Sequence, residues 1–405
     1  MAATLRWQLL APALIGVVTG ACVAAASGLV EGWLLTRLAA LPGLAPALFS
    51  PLALLATWLV GRVVTRTFTP ATSELYILTY LAPSARLPLR QLPGRLLAAA
   101  TTVGFGGSQG FESPSALIGA SWGQALARWS PSDDTRRTLL AAGASAGIAA
   151  VFSSPGIGAL YGIEVPYRRD VDAPRLAPCA IAAVAAYLVR DSLIGTRRLV
   201  AVGTLPPIDA TDVAAGTAVA IACGLGARLF AAIEEALRAI GRRQSRGQRA
   251  AIGGAALGVL AAVGWTLSGT WITFGPGYVA TDWLTAGPHP LWLIGAVLAV
   301  RAAGNLVCVY GGGGGGVFTS LACNGAFIGQ LVAEAIGRGH AHLLTLLGAA
   351  CFLAAGYRLP IACMLWVGEQ SGSVVVSIAG LGAIAVSQLL MGEASVSEAQ
   401  TERRA

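Results

Sequence analysis

Charge is what this 405-residue chain has least of: Asp, Glu, Lys and Arg make up 11% of it, against 55% hydrophobic residues. A soluble domain of this length carries about twice that share of charge, so a soluble reading is nearly excluded. Histidine is scarce too, and His289, His340 and His342 flank apolar runs in loops rather than meeting a nucleophile. The seven cysteines at 22, 179, 223, 308, 323, 351 and 363 have no paired spacing, which leaves neither a disulfide framework nor a zinc site. Acidic residues are fewer than basic ones, giving a net charge of +8. The arginines nonetheless stand in short clusters with almost no aromatic interleaving, so the excess does not point to nucleic acid. No Gly-Lys-Ser/Thr follows the glycines at 311–316, which removes a phosphate-cradling loop and ATP-driven transport. Gly143-Ala144-Ser145-Ala146-Gly147 fits a nucleophile-elbow pattern, but that chemistry needs a strand-to-helix turn, and here the residues lie in an apolar small-residue helix. The chain is therefore read as a non-enzyme, with no cofactor and no metal.

Apolar runs dominate instead, at roughly 9–30, 45–63, 114–128, 138–165, 176–190, 213–237, 250–267, 291–310, 321–336, 343–367 and 374–391. Many fall short of the ~20 residues of a simple span, which favours tilted, broken or re-entrant helices. Arg136-Arg137, Arg168-Arg169, the run Arg238, Arg242, Arg243, Arg246, Arg249, and Arg403-Arg404 are expected on the cytoplasmic face. Arg6 and the apolar run after it mimic a secretory signal, but the hydrophobic pattern continues through Trp33-Leu34-Leu35, so this is expected to be the first helix of the mature protein.

One set of residues occurs twice, about two hundred residues apart. Arg95, Gly110, Gly119-Ala120, Gly123-Gln124, Pro155 and Glu164 are matched by Arg301, Gly316, Gly325-Ala326, Gly329-Gln330, Pro360 and Glu369. Duplicated halves interrupted by Gly and Pro at matching places mark a transporter whose binding site lies at the repeat interface near the bilayer midplane. The expected organisation is a first membrane repeat over 1–200, a second over 201–392, and a short polar tail over 393–405. Most glycines are read as helix-packing residues. Gly104 to Gly110 and Gly311 to Gly316 are too dense for helix and are expected to present unpaired N–H groups at helix starts, as an anion site does.

Glu112 follows the first repeated glycine by two residues, where the other half has Phe318. A carboxylate near the bilayer centre costs about 2.5–3.5 kcal/mol on insertion scales, and a helix N-terminus returns about 0.3–1, at best about 2. The remainder must be met by protonation, by water or by leaving the site. Such a carboxylate is a tethered anion at an anion site and competes with a diffusible one. Glu164 and Glu369, each closing a repeated block, are read as satisfying helix ends or the cytoplasmic boundary, with a proton path through Glu164 as the alternative.

Gly110-Phe111-Glu112-Ser113-Pro114, then Ile118-Gly119, then Leu139 to Gly147 through Pro155 to Ile163-Glu164, resemble the CLC chloride channels and chloride/proton antiporters. Gly316-Val317-Phe318-Thr319-Ser320 is similar to the family's Gly-x-Phe-x-Pro motif, with Ser320 for Pro. The resemblance, of a prokaryotic type without C-terminal CBS domains, runs from about residue 70 to 390. It implies an all-α membrane fold of two inverted repeats and a homodimer in a bacterial-type inner membrane, with one anion pathway per subunit. By the same resemblance Glu112 is the gate, the amides of Phe111, Glu112 and Ser113 face an outer anion site, and those of Val317 and Phe318 a central one. Thr72 or Ser73 would lend a hydroxyl. Three residues depart from the pattern. The antiporters' inner proton glutamate falls on Val165; the central tyrosine is replaced by the region Ser395-Val396-Ser397, implying a looser inner side; and Phe111 and Ser113 replace a basic residue and Gly beside the gate.

The expectation is passive, Glu112-gated transport of chloride or a similar small monovalent anion beside membrane lipid. The alternative is an exchanger of chloride or fluoride with protons through an atypical internal path. A non-transporting scaffold predicts no anion flux at all.

Overall fold

The computed structural model describes residues 6–67, 72–82, 85–129, 132–200, 202, 208–337 and 341–402. His340, Arg403 and Arg404 fall outside them, as do the side chains of Thr72 and Ser73. Among the described residues sixteen helices longer than a single turn follow one another. The first eight are α1 (Trp7–Ala39), α2 (Ala45–Thr65), α3 (Thr72–Leu81), α4 (Leu92–Gly104), α5 (Glu112–Ala127), α6 (Asp133–Phe152), α7 (Pro155–Glu164) and α8 (Leu176–Ile194). The second eight are α9 (Ala210–Gly241), α10 (Arg246–Ser268), α11 (Tyr278–Thr285), α12 (Leu291–Gly311), α13 (Phe318–Ile336), α14 (Ala341–Tyr357), α15 (Pro360–Ser371) and α16 (Val374–Met391). Among the described residues seven helices are long and apolar enough to cross a membrane, and the rest are shorter. The chain is a multi-pass membrane protein of the broken-helix kind that the short apolar runs require.

The duplicated glycines hold equivalent helix pairs together. A Cβ placed on Gly119 of α5 would lie 1.9 Å from the Gly143 carbonyl oxygen of α6, and one on Gly143 would lie 2.0 Å from that of Gly119. In the second half Gly325 and Gly348 stand in the same reciprocal relation at 2.1 and 2.2 Å. One turn along, Gly123 and Gly329 each meet a leucine carbonyl at 2.1 Å. Backbone touches backbone here, which is how helices gain packing where lipid gives no hydrophobic drive. Around these pairs α1 packs on α6 and α8, and α9 packs on α14 and α16.

The apolar runs 138–165 and 343–367 are each broken, as the expectation of interrupted helices has it. Pro155 and Pro360 have no N–H to donate and start new helices, and just before them Ser153 (φ 51°) and Arg358 (φ 56°) turn the chain through the left-handed region. The helices that follow, α7 and α15, lie against each other and run antiparallel, as their caps show. Glu164, at the end of α7, accepts the N–H of Ile361 (2.9 Å) and of Ala362 (2.8 Å) at the start of α15. Glu369, on the last turn of α15, accepts the Gly156 N–H at 2.5 Å and the Ser154 hydroxyl at the start of α7. The two carboxylates thus satisfy orphan donors of the opposite repeat, and the exchange is symmetric as inverted repeats demand. Ser145 is no nucleophile: it is buried in mid-α6, and its hydroxyl accepts the Gly162 N–H at 3.2 Å.

The tail is packed rather than loose. The Gln400 side-chain amide donates to the carbonyls of Val165 (2.9 Å) and Tyr357 (2.8 Å), and the Arg168 N–H donates to Thr401 O at 3.0 Å. A polar side chain with two donors ties both halves at the inner face, which composition alone did not reveal. Chain direction sets the sides: α8 leads away from Arg168-Arg169 and α9 returns toward Arg242-Arg243, so with the arginine clusters inside, the segment between them faces outward.

Candidate anion site

Past α4 and past α12 the chain enters a glycine loop, and the two loops meet. The Gly110 N–H donates to Gly316 O at 2.9 Å and the Gly316 N–H returns to Gly110 O at 2.8 Å, an antiparallel bridge between the repeats. The expectation that the glycine amides stand free is corrected for those around the bridge. The N–H of Gly315 goes to Gln109 Oε1 (3.1 Å), that of Gly314 to Thr102 Oγ1 (2.9 Å) and that of Gly313 to Cys308 O (2.8 Å). Dense glycine allows a tight turn, and a tight turn uses up its own donors.

The donors that remain belong to the helices beyond the bridge. Phe111 and Val317 are the N-cap residues, and Glu112 and Phe318 open α5 and α13. Their first-turn amides have no carbonyl of their own helix, and two positive helix ends converge beside one bridge. Glu112 is 1% exposed. Its carboxylate folds back over the bridge, since a Cβ on Gly110 would lie 2.3 Å from Oε1 and one on Gly316 would lie 3.1 Å from Oε2. Both repeated glycines are therefore needed to leave it room. The carboxylate meets the hydroxyl and N–H of Thr319, on the first turn of the other repeat, and its Oε2 has no hydrogen-bond partner. At the matching place Phe318 sits in an aromatic nest, its ring 5.1 Å from Phe152, 5.7 Å from Tyr161 and 5.2 Å from Tyr357.

Outward, the Phe111 N–H donates at 3.1 Å to Oε1 of Glu31, from α1. Inward, Ser113, Gly316 and Val317 line a cavity of about 390 Å³ that also reaches Tyr357, Glu234 and Arg238. Ser113 thus lies on the inner side and Phe111 on the outer. Val165 is fully buried and apolar. In the region of the missing tyrosine, Val396 is buried with its N–H on Gly356 O at 2.9 Å and lines the inner cavity with Ser397 and Tyr357, while Tyr161 and Tyr357 are buried beside Phe318. Thr72 and Ser73 open α3, and their side chains lie outside the described residues.

The duplicated arginines have diverged. Arg301 is fully buried and donates to Ile272 O (2.6 Å) and Gly275 O (3.0 Å), holding the loop that brings Pro276 against Gly110, whereas Arg95 lines the inner cavity. Sequence reasoning passed over Glu31, Thr319, Tyr161 and Tyr357. Glu31 alone carried a signal, as the one acidic residue inside the first long apolar span.

Comparison with known proteins agrees with this architecture. A "Chloride/fluoride channel protein" of Pseudomonas syringae pv. tomato is 28% identical over 357 residues, 85% of this chain and 75% of that one. Among solved structures, a slow cyanobacterial Cl-/H+ antiporter superimposes with a TM-score of 0.82 at 20% identity, covering 95% of this chain and 94% of its own. A CLC-type fluoride/proton antiporter does so with a TM-score of 0.84 at 21% identity, covering 98% of each chain. At such identities these two likenesses establish the fold. The family model for voltage gated chloride channels matches residues 52–392, most of the chain, and the chain belongs to that family, the CLC proteins.

Proposed function

We propose that the chain carries chloride or another small monovalent anion passively across the membrane, through a pathway at the junction of the repeats that the Glu112 carboxylate opens and closes. The observation that carries this reading is the placement of that carboxylate. It is buried over the Gly110–Gly316 bridge with one oxygen unpartnered, between the Phe111 amide on one side and the Ser113–Val317 cavity on the other. The first-turn amides of α5 and α13, those of Phe111, Glu112, Ser113, Val317 and Phe318, are the groups an anion would use. Two helix ends return part of the cost of burying a charge there, and a diffusible anion that takes the place of the carboxylate collects the same return. Val165, buried and apolar, speaks for passive conduction because it cannot hold a proton. Exposed apolar side chains such as Leu48, Trp292 and Leu389 suit a lipid boundary, and the working unit in this reading is a homodimer.

A second reading, exchange of chloride or fluoride against protons, is favoured by one observation: the carboxylates of Glu74 and Glu234 line the same inner cavity as Ser113 and Tyr357. Purified protein in liposomes separates the two. Passive transport predicts anion efflux down its gradient without uphill proton movement. Protons driven uphill at a fixed ratio to the anion would replace it with exchange.

A further inference from the structure

With Arg37, Glu31 is one of only two charged residues in α1, and it stands where that helix is wound as a π-helix, over Gly28–Leu35. Such widened turns concentrate at functional positions. Packing does not call for the glycines there, because a Cβ on Gly28 or Gly32 would meet nothing within 4 Å. They leave the turn loose. From it Glu31 Oε1 reaches across to the Phe111 N–H at 3.1 Å, the last amide before the gate residue and the outermost donor of the α5 helix end.

The groups around Glu31 do not turn it into an ordinary ion pair. Arg190 of α8 and Arg197 just beyond α8 lie within electrostatic reach, but Arg190 donates to the Ser153 hydroxyl at 2.6 Å and to Gly195 O. Arg197 pairs with Asp282 at 3.8 Å and lies 4.1 Å over the Tyr278 ring. Tyr278 of α11 lies within electrostatic reach of Glu31 and Glu112 alike, and the two carboxylates are within reach of each other. A negative side chain therefore occupies an outer donor of the site while repelling the gate behind it, inside a rim of two arginines.

We propose that Glu31 is a second, outer gate: its carboxylate holds the Phe111 amide as a tethered anion and must swing away or take up a proton before a diffusible anion can dock there. Access from outside then requires two carboxylates to yield, Glu31 first and Glu112 second. This rests on the reading that Glu112 gates the pathway, and the test keeps the two apart.

The test uses the full chain in liposomes, with chloride efflux followed at external pH 4.5 to 8 for wild type, Glu31→Ala, Glu31→Gln, Glu112→Gln and the double variant Glu31→Ala/Glu112→Gln. Glu31→Gln keeps an oxygen acceptor for the Phe111 N–H, so it separates loss of charge from loss of the cap. Because both carboxylates must yield before an anion passes, the logarithm of the wild-type flux against pH should approach a slope of two protons above both titration steps, their repulsion spreading those steps apart. Each single charge removal should lower that slope to about one, and the double variant should abolish it. Removing a tethered competitor should also tighten external chloride binding, read by calorimetry, by about tenfold. Glu31→Gln and Glu31→Ala that lose flux or stability while keeping the wild-type slope and affinity would make Glu31 a structural cap and overturn the proposal. If Glu112→Gln alone leaves the slope unchanged, the Glu112 reading fails, whatever the Glu31 variants do.

Discussion

Glu164 and Glu369 are equivalent by repeat, yet their Gln variants should not cost the same. Glu164 gives one oxygen to each of two backbone N–H groups, Ile361 at 2.9 Å and Ala362 at 2.8 Å. Glu164→Gln keeps one oxygen and turns an NH₂ toward the other N–H, so one buried donor loses its partner at about 1–3 kcal/mol. The surviving bond falls from a charge-assisted one to a neutral one, a further loss of about 1 kcal/mol. Relief of the buried charge offsets part of this, leaving about 2 kcal/mol. Glu369 faces the Gly156 and Ile157 N–H groups and the Ser154 hydroxyl; Gln can keep its oxygen toward the N–H groups, and the hydroxyl can turn round to accept from the new NH₂. Glu369→Gln should therefore cost about 1 kcal/mol or less. The two carboxylates sit about 15 Å apart, at opposite ends of a ten-residue helix, so the double variant should be nearly additive. Equilibrium unfolding in mixed micelles measures this through tryptophan fluorescence, with Trp366 buried on α15, the helix that both caps tie to α7. Equal losses, or a larger loss for Glu369→Gln, would refute the capping argument. A Glu164→Gln protein of wild-type stability that loses proton movement would return Glu164 to the proton path.

Gly119→Ala would set a Cβ 1.9 Å from the Gly143 carbonyl oxygen and force α5 off α6, so it should destabilise by about 3 kcal/mol. Gly295→Ala, in the second turn of α12 with nothing within 4 Å, should gain about 0.5–1 kcal/mol in the same unfolding measurement. Gln400→Ala leaves the carbonyls of Val165 and Tyr357 without their donor, and should release the tail to limited proteolysis while lowering stability by about 2 kcal/mol.

How far the sequence could be read depended on which groups a residue's partners were. The repeated glycines were legible because helices in lipid close on each other only through small residues, and Gly119, Gly123, Gly325 and Gly329 all do so. The carboxylates closing the blocks were legible as helix-end partners, though not that each serves the other repeat, since that depends on how the halves cross. The breaks at Pro155 and Pro360 were signalled by proline but hidden by unbroken apolarity on both sides. The Gly110–Gly316 bridge was not legible, because spacing gives the turns and not the pairing of one turn with another. Thr319 and Glu31 come to the Glu112 region through long-range packing, and the tail's hold on both halves is a matter of two hydrogen bonds from one side chain.

The central claim, that the Glu112 carboxylate is the gate, is tested most directly by anion efflux from liposomes as a function of pH for wild type and Glu112→Gln. Gln has the shape of the protonated carboxyl and no charge, so the variant should conduct faster than wild type at neutral pH, and the pH dependence owed to this carboxylate should disappear, leaving only the single-proton dependence of Glu31. A Glu112→Gln protein whose flux follows the wild-type pH curve would contradict the account.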